Sequence, residues 1–151
     1  MPDGLYERDI LGWAEEQAAL LRRLANGERV NAAIDWPHVI EEVQDLGLSE
    51  LRACESLLRQ AMVHLLKLGA APDDPAATHW RGETAAFLAD AAARFTPAMR
   101  RRLDLDTLWR RALRQIAAET GSTPPAASCP FTLDEFLAED SDIAALSRRA
   151  G

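Results

Sequence analysis

The stretch from Ser49 to Gly69 constrains this chain more than any other, because it reads as a helix with almost no outside. At about 100° per residue, Leu51, Cys54, Leu58, Ala61, Met62, Leu65, Leu66 and Leu68 cover a wide arc, and Leu57 and His64 widen one edge of it. Polar residues keep a narrow strip made of Arg52, Ser56, Arg59, Gln60 and Lys67. A stripe this broad has to be covered by several other helices. The rest of the chain supplies them: apolar residues recur at steps of three and four nearly throughout, with no strand-type alternation and no internal repeat.

Boundaries follow from caps and breakers. The first helix is expected from Leu5 to Leu24, with Ile10, Trp13, Gln17, Leu20 and Leu24 as its inner stripe and Asn26-Gly27 as its stop. Asp35 with Trp36-Pro37 opens a short second helix, with Trp36, Val39, Ile40 and Val43 facing inward. Gly47-Leu48 reads as a helix-ending glycine, and Ser49 caps the third helix at once, so a sharp turn is expected between the two. A fourth helix runs from about Thr78 to Arg94, burying Trp80, Ala85, Leu88 and Ala92 in part. Thr96-Pro97 caps a short turn, and Asp104 opens a helix that Gly121 stops. Ser122 to Pro130 reads as a proline-rich linker, and Thr132-Leu133-Asp134-Glu135 is a capping box before a last short helix carrying Phe136 and Leu137. All four tryptophans, at 13, 36, 80 and 109, fall on inward positions. The expectation is an all-α, up-and-down bundle of four long helices with additional short ones.

A chain of 151 residues suits one helical domain, with a core over about residues 5–140 and a mobile tail over residues 141–151. No apolar run nears the roughly 20 residues that span a bilayer. The start, Met1-Pro2-Asp3-Gly4, lacks the basic and apolar segments of a signal peptide. Cys54 and Cys129 match no zinc or redox spacing. A cytoplasmic location with both thiols free is expected. A net charge of −7 argues against general affinity for nucleic acid. The charge is uneven, since seven arginines lie between Arg94 and Arg114 against only Asp104 and Asp106. Of the 17 basic residues only Lys67 is a lysine.

Several segments together resemble one bacterial family. These are Leu5-Tyr6-Glu7-Arg8-Asp9 with Trp13, Asp35-Trp36 with Glu41-Glu42, Leu46-Gly47, Ser49-Glu50, His64-Leu65-Leu66-Lys67, Trp80, and Cys129-Pro130-Phe131-Thr132 followed by Phe136-Leu137. Their order and spacing resemble the DUF29 family over about Leu5 to Asp140, although Thr78-His79 stands where many relatives carry a serine before the tryptophan. The resemblance implies a compact prokaryotic helical protein and assigns no catalytic residue.

The residues able to carry chemistry are few. His64 is the candidate general base, with Glu42 as its orienting carboxylate and Lys67 as an anion contact, and a second-helix carboxylate is expected against His64. The bland alternatives are a hydrogen-bonded packing histidine and a lysine that favours the helix dipole. His38, His64, His79, Glu41 and Glu42 are the weak metal-ligand candidates; no metal or other cofactor is expected. Arg110, Arg111 and Arg114 lie on the outside of their helix as a candidate partner-binding stripe, for another protein or a second copy; no aromatic interleaves them, which disfavours nucleic acid, and no membrane contact is expected. No phosphate loop, nucleophile elbow or HExxH motif is present. Two functions of different class remain open: a helical module acting by protein–protein interaction, or a hydrolase or metal-assisted enzyme with its site near His64, Lys67 and Glu41/Glu42.

Overall fold

The computed structural model of the chain describes residues 4–122 and 128–151. Most of the expected proline-rich linker, and the first three residues, lie outside the described residues. The chain is 77% helical with no strand among the described residues. Four helices are long, with short ones between and after them. None among the described residues is long and apolar enough to cross a membrane. The residues cluster into two compact units, Met1–Leu48 and Ser49–Gly151.

In the first unit the expected single helix is two: α1 (Leu5–Arg8) and α2 (Ile10–Ala25). Asp9 breaks them with φ −151° and ψ 83°, and its carboxylate accepts the Gly12 N–H at 2.9 Å as the cap of α2. Glycine suits position 12, because a Cβ there would lie 2.5 Å from the Asp9 carboxylate. Trp13 and Gln17 are buried, as the stripe requires, but Ile10 is exposed. Gly27, at φ 90°, takes the left-handed position after α2. A single 3-10 turn, Asn31–Ala33, follows, and Val30 and Ile34 on either side of it are buried.

The largest departure from expectation is α3, which runs unbroken from Trp36 to Ala70, 35 residues. The turn expected at Gly47-Leu48-Ser49 does not form, and Gly47 is not among the glycines with positive φ. Glycine inside a helix costs only about 1 kcal/mol relative to alanine. No proline follows Gly47 to forbid continuation, and each added residue of a formed helix gains a backbone bond. The start of α3 also faces the other way from expectation. Ile40, Val43 and Leu46 are 55%, 68% and 72% exposed, and Trp36 is 37% exposed.

The second unit is built on the rest of α3. Leu51, Cys54, Leu58, Ala61, Met62, Leu65, Leu66 and Leu68 are buried as the stripe demands, and Val63 joins them. Around them stand α4 (Ala77–Arg94), a 3-10 turn (Pro97–Arg101), α5 (Leu105–Thr120), α6 (Leu133–Leu137) and α7 (Ile143–Ala150). On α4 Leu88 is buried as expected, together with Ala77, Thr84 and Ala91, whereas Ala85 is exposed; the Thr84 hydroxyl donates to the Trp80 carbonyl at 2.7 Å and so needs no water. Trp80 is half-buried. Thr96 makes no side-chain cap bond, whereas Asp104 caps α5 as expected and Gly121 ends it at φ 71°. Trp109, Phe131 and Phe136 pack edge to face or tilted, with centroids 5.7 and 5.1 Å apart.

The expected mobile tail is instead helix α7, capped by Asp142 and buried at Leu146 and Ala150. Two features hold it. A Cβ at Gly69 would lie 2.6 Å from the Ser147 carbonyl oxygen, so the two backbones meet where only glycine fits. Arg149 pairs with Glu135 of the Thr132/Glu135 capping box and lies over the Phe131 ring, and that guanidinium holds the Glu135 carboxyl at about 2.

Candidate functional site

The N-terminal half of α3 presents its polar side to its own unit. His38 Nδ1 donates to the Asp35 carboxylate at 2.7 Å, and the Trp13 indole N–H donates to the same oxygen at 2.9 Å. Tyr6 stacks on the His38 ring, with centroids 3.9 Å apart and 13° between planes. The Tyr6 hydroxyl donates to Glu42 at 2.5 Å. These contacts leave electrostatic signatures. The hydrogen bond to Asp35 raises His38 above its ordinary value, and the same bond lowers Asp35. The bond to Glu42 pushes Tyr6 up to about 12.

The opposite side of those same turns is apolar. Trp36, Ile40, Val43 and Gly47 follow one another at steps of four, three and four, and Leu46 lies beside them. That spacing makes one face of a helix. A Cβ on Gly47 would meet nothing within 4 Å, so the face has an open notch there. Sequence periodicity puts Trp36, Ile40 and Val43, with Val39, on one face and assigns that face inward. A period reports that a face is apolar and is silent on which neighbour covers it.

In the second unit His64 is half-buried, with Nε2 2.5 Å from Glu83 Oε2 and Nδ1 3.1 Å from the Gln60 carbonyl oxygen. A carbonyl only accepts, so Nδ1 carries the proton of that bond. The edge of Phe87 closes on the ring at 5.4 Å between centroids. His79, exposed, reaches the other oxygen of Glu83 at 3.1 Å. The carboxylate on His64 is therefore Glu83 of α4, and Glu42 is occupied by Tyr6. The expectation of a second-helix carboxylate rested on a tight turn that the continuous α3 does not contain. Glu83 carried one signal in the sequence, its four-residue spacing from His79.

Lys67 pairs with Glu119 of α5 at 3.2 Å and lies 5.9 Å from the centroid of the Trp80 ring. Glu119 also accepts from Gln115 at 3.0 Å, and Gln115 in turn accepts from Arg59 at 2.5 Å. The Gln115 bond and then the Lys67 bond lower the Glu119 carboxyl. Lys67 thus ties α3 to α5.

The remaining candidates separate. Glu41 is exposed, and among the described residues no three of His, Cys, Asp and Glu are grouped so as to hold a metal ion. Of the candidate ligands, His38, Glu41 and Glu42 belong to the first unit and His64 and His79 to the second. Arg110, Arg111 and Arg114 are exposed on α5, Arg110 donating to Thr107 Oγ1 at 3.0 Å. Cys54 and Cys129 are free thiols, both raised chiefly by burial. Two open grooves flank α4. One, of about 460 Å³, is lined by alanines with Leu88, Leu137 and Ile143; the other, of about 590 Å³, by Ser56, Gln60, Asp90 and Arg94 among others. Neither is lined by His64 or Lys67.

A family model described as domain of unknown function DUF29 matches residues 5–141. The chain belongs to the DUF29 family. A crystal structure of an alpha-helical protein of unknown function from Rhodospirillum rubrum is similar to this DUF29 protein at 33% identity, covering 97% of each chain with a TM-score of 0.72. No curated protein matches the chain.

Proposed function

We propose that this DUF29 protein works as a helical interaction module, binding another polypeptide through the outward face of α3. One observation carries the reading: Ile40, Val43 and Leu46 are more than half exposed on the same turns whose polar residues His38 and Glu42 are bonded inside the unit. Apolar residues in one contiguous row on a surface mark a contact site, unlike the single exposed hydrophobes found on any protein. The enzymatic alternative has less to stand on. His64 and Lys67 are each paired with a carboxylate of a neighbouring helix, an arrangement that needs no catalytic role to account for it.

A photo-crosslinking residue placed at Val43 or Leu46 tests the module. Both positions should capture a second polypeptide that the same residue at exposed Glu15 does not. Identical adducts from all three positions, or adducts confined to the chain itself, would defeat the reading.

A further inference from the structure

We propose that the occupant of this face is a basic amphipathic helix presented by a different polypeptide. The proposal rests on the interaction role above and adds the chemistry of the partner. The steps of four, three and four through Trp36, Ile40, Val43 and Gly47 form a ridge with a notch, the relief that another helix fills with its own side chains. Charge selects among helices. Residues 1–48 hold ten acidic side chains against four arginines, and Trp36–Gly47 exposes Glu41 and Asp45, besides Glu42 on Tyr6, with no lysine or arginine.

Two ways of filling the face with a second copy each fail on one count. Pairing the row with itself brings two such acidic segments within about a Debye length, roughly 10 Å at 0.1 M salt, where like charges repel. The arginine face of a second copy has the right charge in Arg110, Arg111 and Arg114. Its apolar neighbours Leu108, Trp109 and Ala112 are buried, however, so it offers nothing to cover Ile40 and Val43. A helix with an apolar row bordered by lysine or arginine meets both demands, and opposite charge also speeds its encounter.

The test uses the full chain and two labelled synthetic peptides of about 18 residues, five helical turns. Both carry the same leucine and alanine row; one is bordered by lysine, the other by glutamate. Fluorescence anisotropy should show the lysine peptide binding at least about tenfold tighter, a difference of roughly 1.4 kcal/mol. The preference should shrink as salt is raised, and Ile40→Gln with Val43→Gln should weaken lysine-peptide binding by at least about tenfold. Equal binding of the two peptides overturns the basic partner while leaving the docking face intact. Undiminished lysine-peptide binding by the double variant places the peptide elsewhere and overturns the proposal. Binding of neither peptide, with sedimentation showing a dimer that the double variant loses, makes the occupant a second copy. Failure of the interaction reading itself shows separately, as the absence of position-specific crosslinks from Val43.

Discussion

Asp35 and His38 move each other's titration in opposite directions, which makes the link between α2 and the start of α3 sensitive to pH on both sides. His38 is raised above its free value of about 6.5 by the bond to Asp35, aided by Glu7 and Glu41. Its contribution is therefore complete below about pH 6.5 and is lost as pH rises through the folded value. Asp35 is lowered from 3.8, so its contribution is complete above that pH and is lost as pH falls through its folded value. The pair is at full strength between the two free values. An NMR titration should place the His38 midpoint above 6.5, and Asp35→Asn should bring it down; a wild-type midpoint at or below 6.5 would mean the pair is not made. The chain has one tyrosine, so its ultraviolet titration is unambiguous. Tyr6 should stay protonated until about pH 12 and titrate nearer its ordinary value of 10.0 in Glu42→Gln. Phenolate formation at an unshifted value in the wild type would contradict the bond. None of these pairings was legible in the sequence. Spacing put His38 and Glu42 on one side of a helix, but Tyr6 and Trp13, which engage them, come from other elements, and Asp35, just before α3, reads in the sequence only as its cap.

Helix boundaries were legible where a side chain or a positive φ enforces them. Asp104 and Gly121 bound α5, and the Thr132/Glu135 box opens α6, because each satisfies orphan backbone groups by itself. Asp9 has the same capping power, but the apolar stripe continues through it and masks the break. Gly47 is the opposite error: a glycine followed by an apolar residue imitates a helix stop, and nothing in those two residues tells a stop from a tolerated interior glycine. Two alanine substitutions separate the cases. Gly47→Ala should stabilise the protein by about 0.5–1 kcal/mol, since the added methyl meets nothing and the unfolded chain loses freedom. A sharp turn at that position, with positive φ, would make the same change destabilising. Gly69→Ala should loosen α7, because its Cβ would drive into the Ser147 carbonyl and the Gly151 backbone. Hydrogen exchange over Ile143–Ala150 should speed up in that variant; unchanged protection would mean that α7 does not seat on Gly69.

At the scale of the whole molecule, the long helix α3 carries two apolar stripes, and among the described residues one of them is covered. The stripe from Leu51 to Leu68 is wide enough to demand neighbours on several sides, and it has them. The row at Trp36, Ile40, Val43 and Leu46 is narrower, and its residues Trp36, Ile40 and Val43 have the composition of an ordinary buried face, which is why periodicity alone places those three, with Val39, in the core. The two assignments differ in energy. An apolar residue of this size in a core typically costs 2–5 kcal/mol on truncation, whereas a surface exchange is usually within about 0.5 kcal/mol. Ile40→Gln with Val43→Gln should therefore leave the thermal midpoint within a few degrees of the parent, since about 1 kcal/mol corresponds to roughly 2–4 °C for a chain of this size. Trp13→Ala, in the same unit, is the matched control: it empties a buried site and strips Asp35 of a donor, and should cost about 3–5 kcal/mol. If the double glutamine variant melts as low as the Trp13 variant, the α3 row is core and the docking face does not exist. If it melts with the parent, the row contributes little to the fold, as the proposed docking face requires.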